Sequence, residues 1–205
     1  MFKYFSIDQQ LADSVDKELH DPKVDWGFYG GTLSNYEKVQ FYPSFEILNK
    51  KYGPIIDTIR FTDVIYNSNI IPESFYYIRT NPNSRYNIKY PNTAKLIDTI
   101  QFKKEIIPNN YKVDRIYINL FTIRPNWQLN YPHFDSFCNT DISVLYYVNN
   151  SDGDTYFFEK DACIYKTSPI KGTGVVFPSC IIHAGAVPIK NETRICINIK
   201  FKIKK

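Results

Sequence analysis

Three histidines occur in this 205-residue chain, and two stand where an imidazole can do chemistry. One lies in Tyr131-Pro132-His133-Phe134-Asp135, the other in Ile181-Ile182-His183-Ala184-Gly185. In extended chain, residues i and i+2 share a face, so His133 and Asp135 can reach one metal ion while Phe134 turns away. His183 follows Asp135 by 48 residues, beyond the span of a local turn, and a neighbouring strand has to carry it back. Two imidazoles and one carboxylate on one side of an ion leave several coordination positions open. That facial set suits a non-haem Fe(II) centre, whereas structural zinc takes four closed protein ligands.

An arginine completes the set. From Arg194 the chain alternates, with Arg194, Cys196 and Asn198 on one face and Ile195, Ile197, Ile199 and Phe201 on the other. This is a strand with one polar and one apolar face. An arginine on the polar face, eleven residues after His183, can grip a carboxylate through two parallel hydrogen bonds. A bound 2-oxo acid would give a redox-active iron both electrons and chelating oxygens. Taken singly, each residue has an ordinary structural explanation: a strand-end histidine, a turn-forming aspartate, a histidine capping a turn with Gly185, a surface arginine. Together and in this order they favour chemistry.

With His133-x-Asp135, His183 and Arg194 in that order, the chain resembles the Fe(II)/2-oxoglutarate-dependent dioxygenase superfamily, in particular its prolyl 4-hydroxylase-like branch. The segments Ser143-Val144-Leu145-Tyr146-Tyr147-Val148-Asn149, Gly153-Asp154-Thr155-Tyr156-Phe157-Phe158 and Gly172-Thr173-Gly174-Val175-Val176-Phe177-Pro178 add to the resemblance. It covers residues 113–203. Relatives often show paired glycines where this chain has Gly153-Asp154.

The resemblance implies a mainly β fold with flanking helices, a double-stranded β-helix (jelly-roll) core packed against N-terminal helices. It implies Fe(II) on the catalytic ligands His133, Asp135 and His183, with 2-oxoglutarate anchored by Arg194, Tyr147 and Asn198. O2 is the second cosubstrate, and ascorbate is a candidate reductant. The implied activity is hydroxylation of a substrate C–H bond with release of succinate and CO2, on a peptide side chain, proline foremost. Alternatives are the same chemistry on a nucleobase or small molecule, or a catalytically silent jelly-roll module that binds metal or ligand. Trp127, Tyr131, Thr155 and Phe157 are the candidate substrate contacts.

Composition narrows the field. Hydrophobic residues at 43% exclude a disordered chain, and the length fits one domain with a sizeable core. A net charge of +4, with scattered basic residues, does not indicate a nucleic-acid partner. Four cysteines without a C-x-x-C pair make reduced thiols the default. The first residues lack the apolar stretch of a signal peptide, and no apolar run is long enough for a membrane span, so a cytoplasmic location is expected.

The remaining chain must position the site. Ile7, Leu11, Val15 and Leu19 predict a helix over 7–20, capped by Ser6 or Asp8, with His20 at its end. The aromatic, turn-rich segment 21–43 is a lid over a pocket or a loop packed on the core. Helices are expected over Ser44–Lys51, Ile55–Ile59 and 93–104, and a strand over Tyr76–Thr80. Arg79 and Arg85 are further candidates for substrate contact. Strands follow over Arg115–Phe121, Ser143–Val148, Thr155–Phe158, Ile164–Thr167, Val175–Phe177 and Arg194–Ile203. The chain thus reads as one domain, with a helical and loop-rich part over 1–111 and a metal-binding β core over 112–205. If Arg194 faces the pocket, the isoleucine face of its strand points outward, and the N-terminal helices are its cover.

Overall fold

The computed structural model describes residues 2–24, 28–29, 55–56, 60–67, 89–126 and 128–204. In chain order the elements are β1 (Lys3–Ser6), α1 (Gln9–Leu19), β2 (Phe28–Tyr29), β3 (Ile55–Ile56), β4 (Arg60–Asn67), α2 (Pro91–Phe102), β5 (Tyr111–Thr122), β6 (Leu129–Asn130), β7 (Ile142–Tyr147), β8 (Thr155–Glu159), β9 (Ala162–Thr167), β10 (Thr173–Pro178), β11 (Ile182–Gly185) and β12 (Thr193–Ile203). The alternating stretch after Arg194 becomes the spine. β12 pairs antiparallel with β5 on one side and β7 on the other, inside a seven-stranded sheet ordered β1-β10-β7-β12-β5-β4-β2. A smaller sheet, β11-β8-β9, lies across from it, and β3 and β6 form a short parallel pair.

Alternation decides which layer each side chain joins. Ile195, Ile197, Ile199 and Phe201 pack in one buried cluster with Leu11, Val15 and Leu19 of α1 and Leu96, Ile97 and Ile100 of α2. The N-terminal helices therefore cover the outer face of the large sheet. On its inner face Phe121, Leu145, Tyr147, Val175, Phe177 and Cys196 pack with Phe157 of the small sheet. The result is a jelly roll of two facing sheets, with a helical layer behind the larger one.

The two helices are tied to each other as well as to the sheet. Asp8 caps α1 by accepting from Leu11 N at 3.2 Å. Glu18, near the end of α1, accepts from Asn92 N, Thr93 N and Thr93 Oγ1 at 2.7–2.8 Å. Its charge thus caps the first turn of α2, where exposed N–H groups and the helix dipole favour an anion. Val15 is fully buried in α1, so Val15→Asp places a carboxylate among apolar neighbours. A loss of about 3–5 kcal/mol is expected, read as a large drop in melting temperature. An unchanged melting temperature would remove the helices as the cover of this sheet.

Several expectations change. α1 begins at Gln9 rather than Ile7, because Ile7 N donates to Gly172 O at 2.8 Å and residues 3–6 extend as an edge strand on β10. Ile55 and Ile56 are strand, not helix: β-branched residues favour extended chain, and this pair finds a partner in Leu129–Asn130. The stretch 1–111 is more than helices and loops, since β1, β2 and β4 extend the large sheet. α2 falls two residues earlier than expected, with Pro91 in its first turn, where a missing N–H costs nothing. The expected helix at Ser44–Lys51, the strand at Tyr76–Thr80, Arg79 and Arg85 lie outside the described residues, as does 21–43 apart from 21–24 and 28–29. No helix among the described residues is long and apolar enough to cross a membrane.

Candidate metal centre

His133 and His183 are brought together by backbone pairing. His133 N donates to His183 O at 2.9 Å and His183 N to His133 O at 2.8 Å, the reciprocal exchange of an antiparallel pair. His183 sits in β11, whereas His133 makes a single bridge outside any named strand. Their rings lie 4.5 Å apart, and His183 also packs on Phe157 and Phe177. Each Nδ1 faces a backbone carbonyl, that of Tyr131 or Ile181, at 3.1 Å. A carbonyl can only accept, so the proton sits on Nδ1 and the lone pair on Nε2. Backbone contacts of this kind orient imidazoles toward a metal.

Asp135 joins them from a bend held by Ser179, whose carbonyl accepts from the backbone N–H groups of both Asp135 and Ser136. The candidate ligand atoms of His133, Asp135 and His183 all lie within 4.8 Å of one another. Asp135 Oδ2 is 3.9 Å from His183 Nε2. Burial pushes this carboxyl up, but His183, the Arg115 guanidinium, His133 and the Ser143 hydroxyl outweigh it and hold it well below the usual range. Asp135 is therefore an anion at neutral pH, held in position by Ser143 Oγ at 2.6 Å, Arg115 Nη2 at 3.0 Å and Asn198 Nδ2 at 3.3 Å.

Farther along the same face of β12 lies Arg194, 2% exposed. Four residues separate it from Asn198, about 13 Å of strand. Its Nη2 donates to Thr155 Oγ1 at 2.9 Å and its Nη1 to Cys196 Sγ at 3.7 Å, while Nε has no partner. The guanidinium lies over the Phe121 and Tyr147 rings, and no carboxylate among the described residues pairs with it. Glycines shape its slot. A Cβ on Gly185 would fall 2.9 Å from Arg194 Nη1, and one on Gly153 would fall 2.8 Å from Arg194 Cδ and 2.5 Å from Ala186 O. Tyr147 donates to the same Thr155 Oγ1 at 2.8 Å. Burial lifts its phenol well above the ordinary value against the pull of Arg194, so it remains a donor. A buried cation with neutral partners only is a costly arrangement that an incoming anion would relieve.

The loop before Arg194 is fixed by Asp152. Its carboxylate accepts from the backbone N–H groups of Ile189, Lys190 and Asn191 at 3.0–3.3 Å. Partial burial raises this carboxyl, but those N–H groups outweigh it and hold it below the usual range. Its stabilisation is therefore present above the unfolded pKa near ~4 and is lost as pH falls through the folded value. Asp152→Ala is expected to cost about 1–2 kcal/mol at neutral pH. The gap in melting temperature from wild type should close in acid. A gap that persists there would show that the charge is not the cause.

The expected site residues divide by where they lie. His133, Asp135 and His183 meet, and Arg194 and Tyr147 meet around Thr155. Thr155, expected at the substrate, instead bridges that arginine and tyrosine. Asn198, expected on the cosubstrate, donates to Asp135. Phe157 is fully buried among Phe2, Tyr165, Phe177 and His183, a core position rather than one at an opening. Tyr131 packs on the cluster of Leu129, Phe158, Ala184 and Ala186. Trp127 lies outside the described residues. Arg115, Ser143 and Ser179 are contacts that the sequence reading missed. The alternation Arg115, Tyr117, Asn119, Phe121 in β5 was the available signal for the first.

No protein-family model matches the sequence, and no curated protein does. Solved structures share its architecture. A prolyl-4-hydroxylase from Pseudomonas putida superposes with a TM-score of 0.55 at 13% identity, over 99% of this chain and 92% of that one. A prolyl hydroxylase from Trichoplax adhaerens, in complex with a hypoxia inducible factor oxygen degradation domain peptide fragment, gives 0.53 at 15% identity, over 98% and 82%. A 2OG-Fe(II) oxygenase family oxidoreductase from Burkholderia pseudomallei gives 0.53 at 13% identity, over 97% and 93%. The jelly roll that brings two histidines to an aspartate here is thus the fold of the 2-oxoglutarate-Fe(II) oxygenases, with prolyl hydroxylases among the structures it matches.

Proposed function

We propose that the protein is an Fe(II)- and 2-oxoglutarate-dependent dioxygenase that hydroxylates a C–H bond, with a prolyl side chain in a peptide as its substrate class. The carrying observation is the pairing of two sites: three ligand atoms within 4.8 Å of one another, and a buried guanidinium without a carboxylate among the described residues. His133 Nε2, an oxygen of Asp135 and His183 Nε2 fit the facial set of a divalent ion with open positions. Arg194, with Tyr147 and Thr155, fits one carboxylate of a dianionic 2-oxo acid, and charge-assisted hydrogen bonds are strong where water is excluded. When bound, the iron with 2-oxoglutarate and O2 would supply the oxidation of the substrate C–H bond, with succinate and CO2 released.

The chain's own residues do the positioning. Backbone carbonyls of Tyr131 and Ile181 fix the imidazole tautomers, Ser143 and Asn198 orient the Asp135 carboxylate, and Phe157 and Phe177 wall His183 from water. The peptide assignment is supported by the fold shared with the Trichoplax adhaerens hydroxylase. Loading Fe(II) without oxygen and then admitting air and 2-oxoglutarate should yield succinate. His183→Ala should reduce the yield to the level of free Fe(II). A screen of proline-containing peptides should then raise turnover. Succinate formation that His183→Ala leaves intact would rule the centre out.

A further inference from the structure

Asp135 holds more donors than its placement requires. Its Oδ2, the oxygen near His183 Nε2, accepts from Ser143 Oγ and Asn198 Nδ2, and Ser143 is backed by Ser179 Oγ at 2.8 Å. These neutral groups already fix the plane of the carboxylate. Arg115 adds a full positive charge on the other oxygen, Oδ1, at 3.0 Å. Its guanidinium carbon lies 4.7 Å from the centre of the Tyr117 ring, its side chain is 23% exposed, and its Nε has no partner.

We propose that Arg115 makes metal binding depend on the organic acid: it restricts Asp135 to one ligating oxygen and offsets that carboxylate's charge, so a divalent ion is held firmly only once a dianionic 2-oxo acid has joined it. This inference rests on the metal centre proposed above. Carboxylates ligate divalent ions through one oxygen or both. With Oδ1 engaged by Arg115, Oδ2 is the oxygen 3.9 Å from His183 Nε2, and it takes the ion beside the Ser143 bond by releasing the longer one, 3.3 Å from Asn198 Nδ2. Among the described residues Asp135 is the one carboxylate of the candidate ligand set, and its −1 and the +1 of Arg115 sum to zero, so this pair offers a bare divalent ion no net negative charge. Behind the carboxylate the ion also meets a cation that water screens only in part, so some repulsion is felt. A dianion reverses the balance, because the ion, Arg115 and Arg194 all attract it. Arg115 is a positioning residue, acting through Asp135.

The test compares Arg115→Gln and Arg115→Lys with wild type in the full chain. Mn(II) is titrated calorimetrically with and without 2-oxoglutarate. Arg115→Gln should bind Mn(II) alone more tightly, on the order of tenfold, the scale at which groups behind a ligand shift metal affinity. The Mn(II)-loaded variant should bind 2-oxoglutarate several-fold more weakly, roughly the share a lost nearby charge removes. Arg115→Lys should keep both wild-type values. The opposite signs separate this role from a structural one, since loosening of the site would weaken both. Unchanged or weaker Mn(II) binding in Arg115→Gln overturns the inference. Wild type that binds neither Mn(II) nor 2-oxoglutarate overturns the metal-centre reading itself, and the inference with it.

Discussion

Asp135→Asn is expected to lower divalent-metal affinity by about a hundredfold or more while the sheets stay folded. The amide keeps the shape of the carboxylate but loses the negative charge that Asp135 brings to the three candidate ligands. It also turns a donor toward Ser143 or Arg115, groups that now donate to Asp135 at 2.6 and 3.0 Å. The side chain is 3% exposed and Arg115 is 23% exposed, so their ion pair is partly shielded from water and partly screened by it. Breaking it should cost about 1–3 kcal/mol, less than for a wholly buried pair. Metal titration and thermal melting together check this. A variant with wild-type metal affinity would mean that Asp135 is not a ligand.

Arg194→Met should act in opposite directions on the two quantities. Binding of 2-oxoglutarate to the metal-loaded protein should fall by about two orders of magnitude, the value of charge-assisted hydrogen bonds made by a desolvated guanidinium. The ligand-free protein should become no less stable, and by up to about 1–2 kcal/mol more stable. That gain is expected because Arg194 is 2% exposed, has only neutral hydrogen-bond acceptors among the described residues, and leaves Nε unpaired. Methionine fills a similar slot between Phe121, Tyr147 and the two glycines without a charge to desolvate. A large loss of stability in Arg194→Met would show that the arginine serves the fold and that its charge is already compensated.

The site was legible in the sequence because its members are rare residue types at telling intervals. Two of three histidines, an aspartate two residues from one of them and an arginine on an alternating strand carry the pattern without knowledge of the contacts. The isoleucine face of β12 likewise announced its own cover, and α1 and α2 provide it. For Arg115 the alternation in β5 places its side chain on the inner face, but its partner is not legible, since it reaches Asp135 across 20 residues of chain and only folding creates that pair. Thr155 and Asn198 were picked out by position, but their partners depend on strand register, which sequence alone does not set. The edge strand at Lys3–Ser6 was missed because a four-residue strand has too few alternations to register, and its partners, Thr173 to Val176 of β10, lie near the other end of the chain. Ile55–Ile56 was misassigned for a related reason: two residues take their conformation from the neighbour they meet.

The most direct measurement is calorimetric titration of 2-oxoglutarate into the protein with Mn(II) bound and with metal removed. Binding that requires the metal, and that is lost in both Asp135→Asn and Arg194→Met, is the expected result. Binding that ignores the metal would contradict the assignment of His133, Asp135 and His183 to a centre that chelates the acid. No binding in either state would contradict it outright.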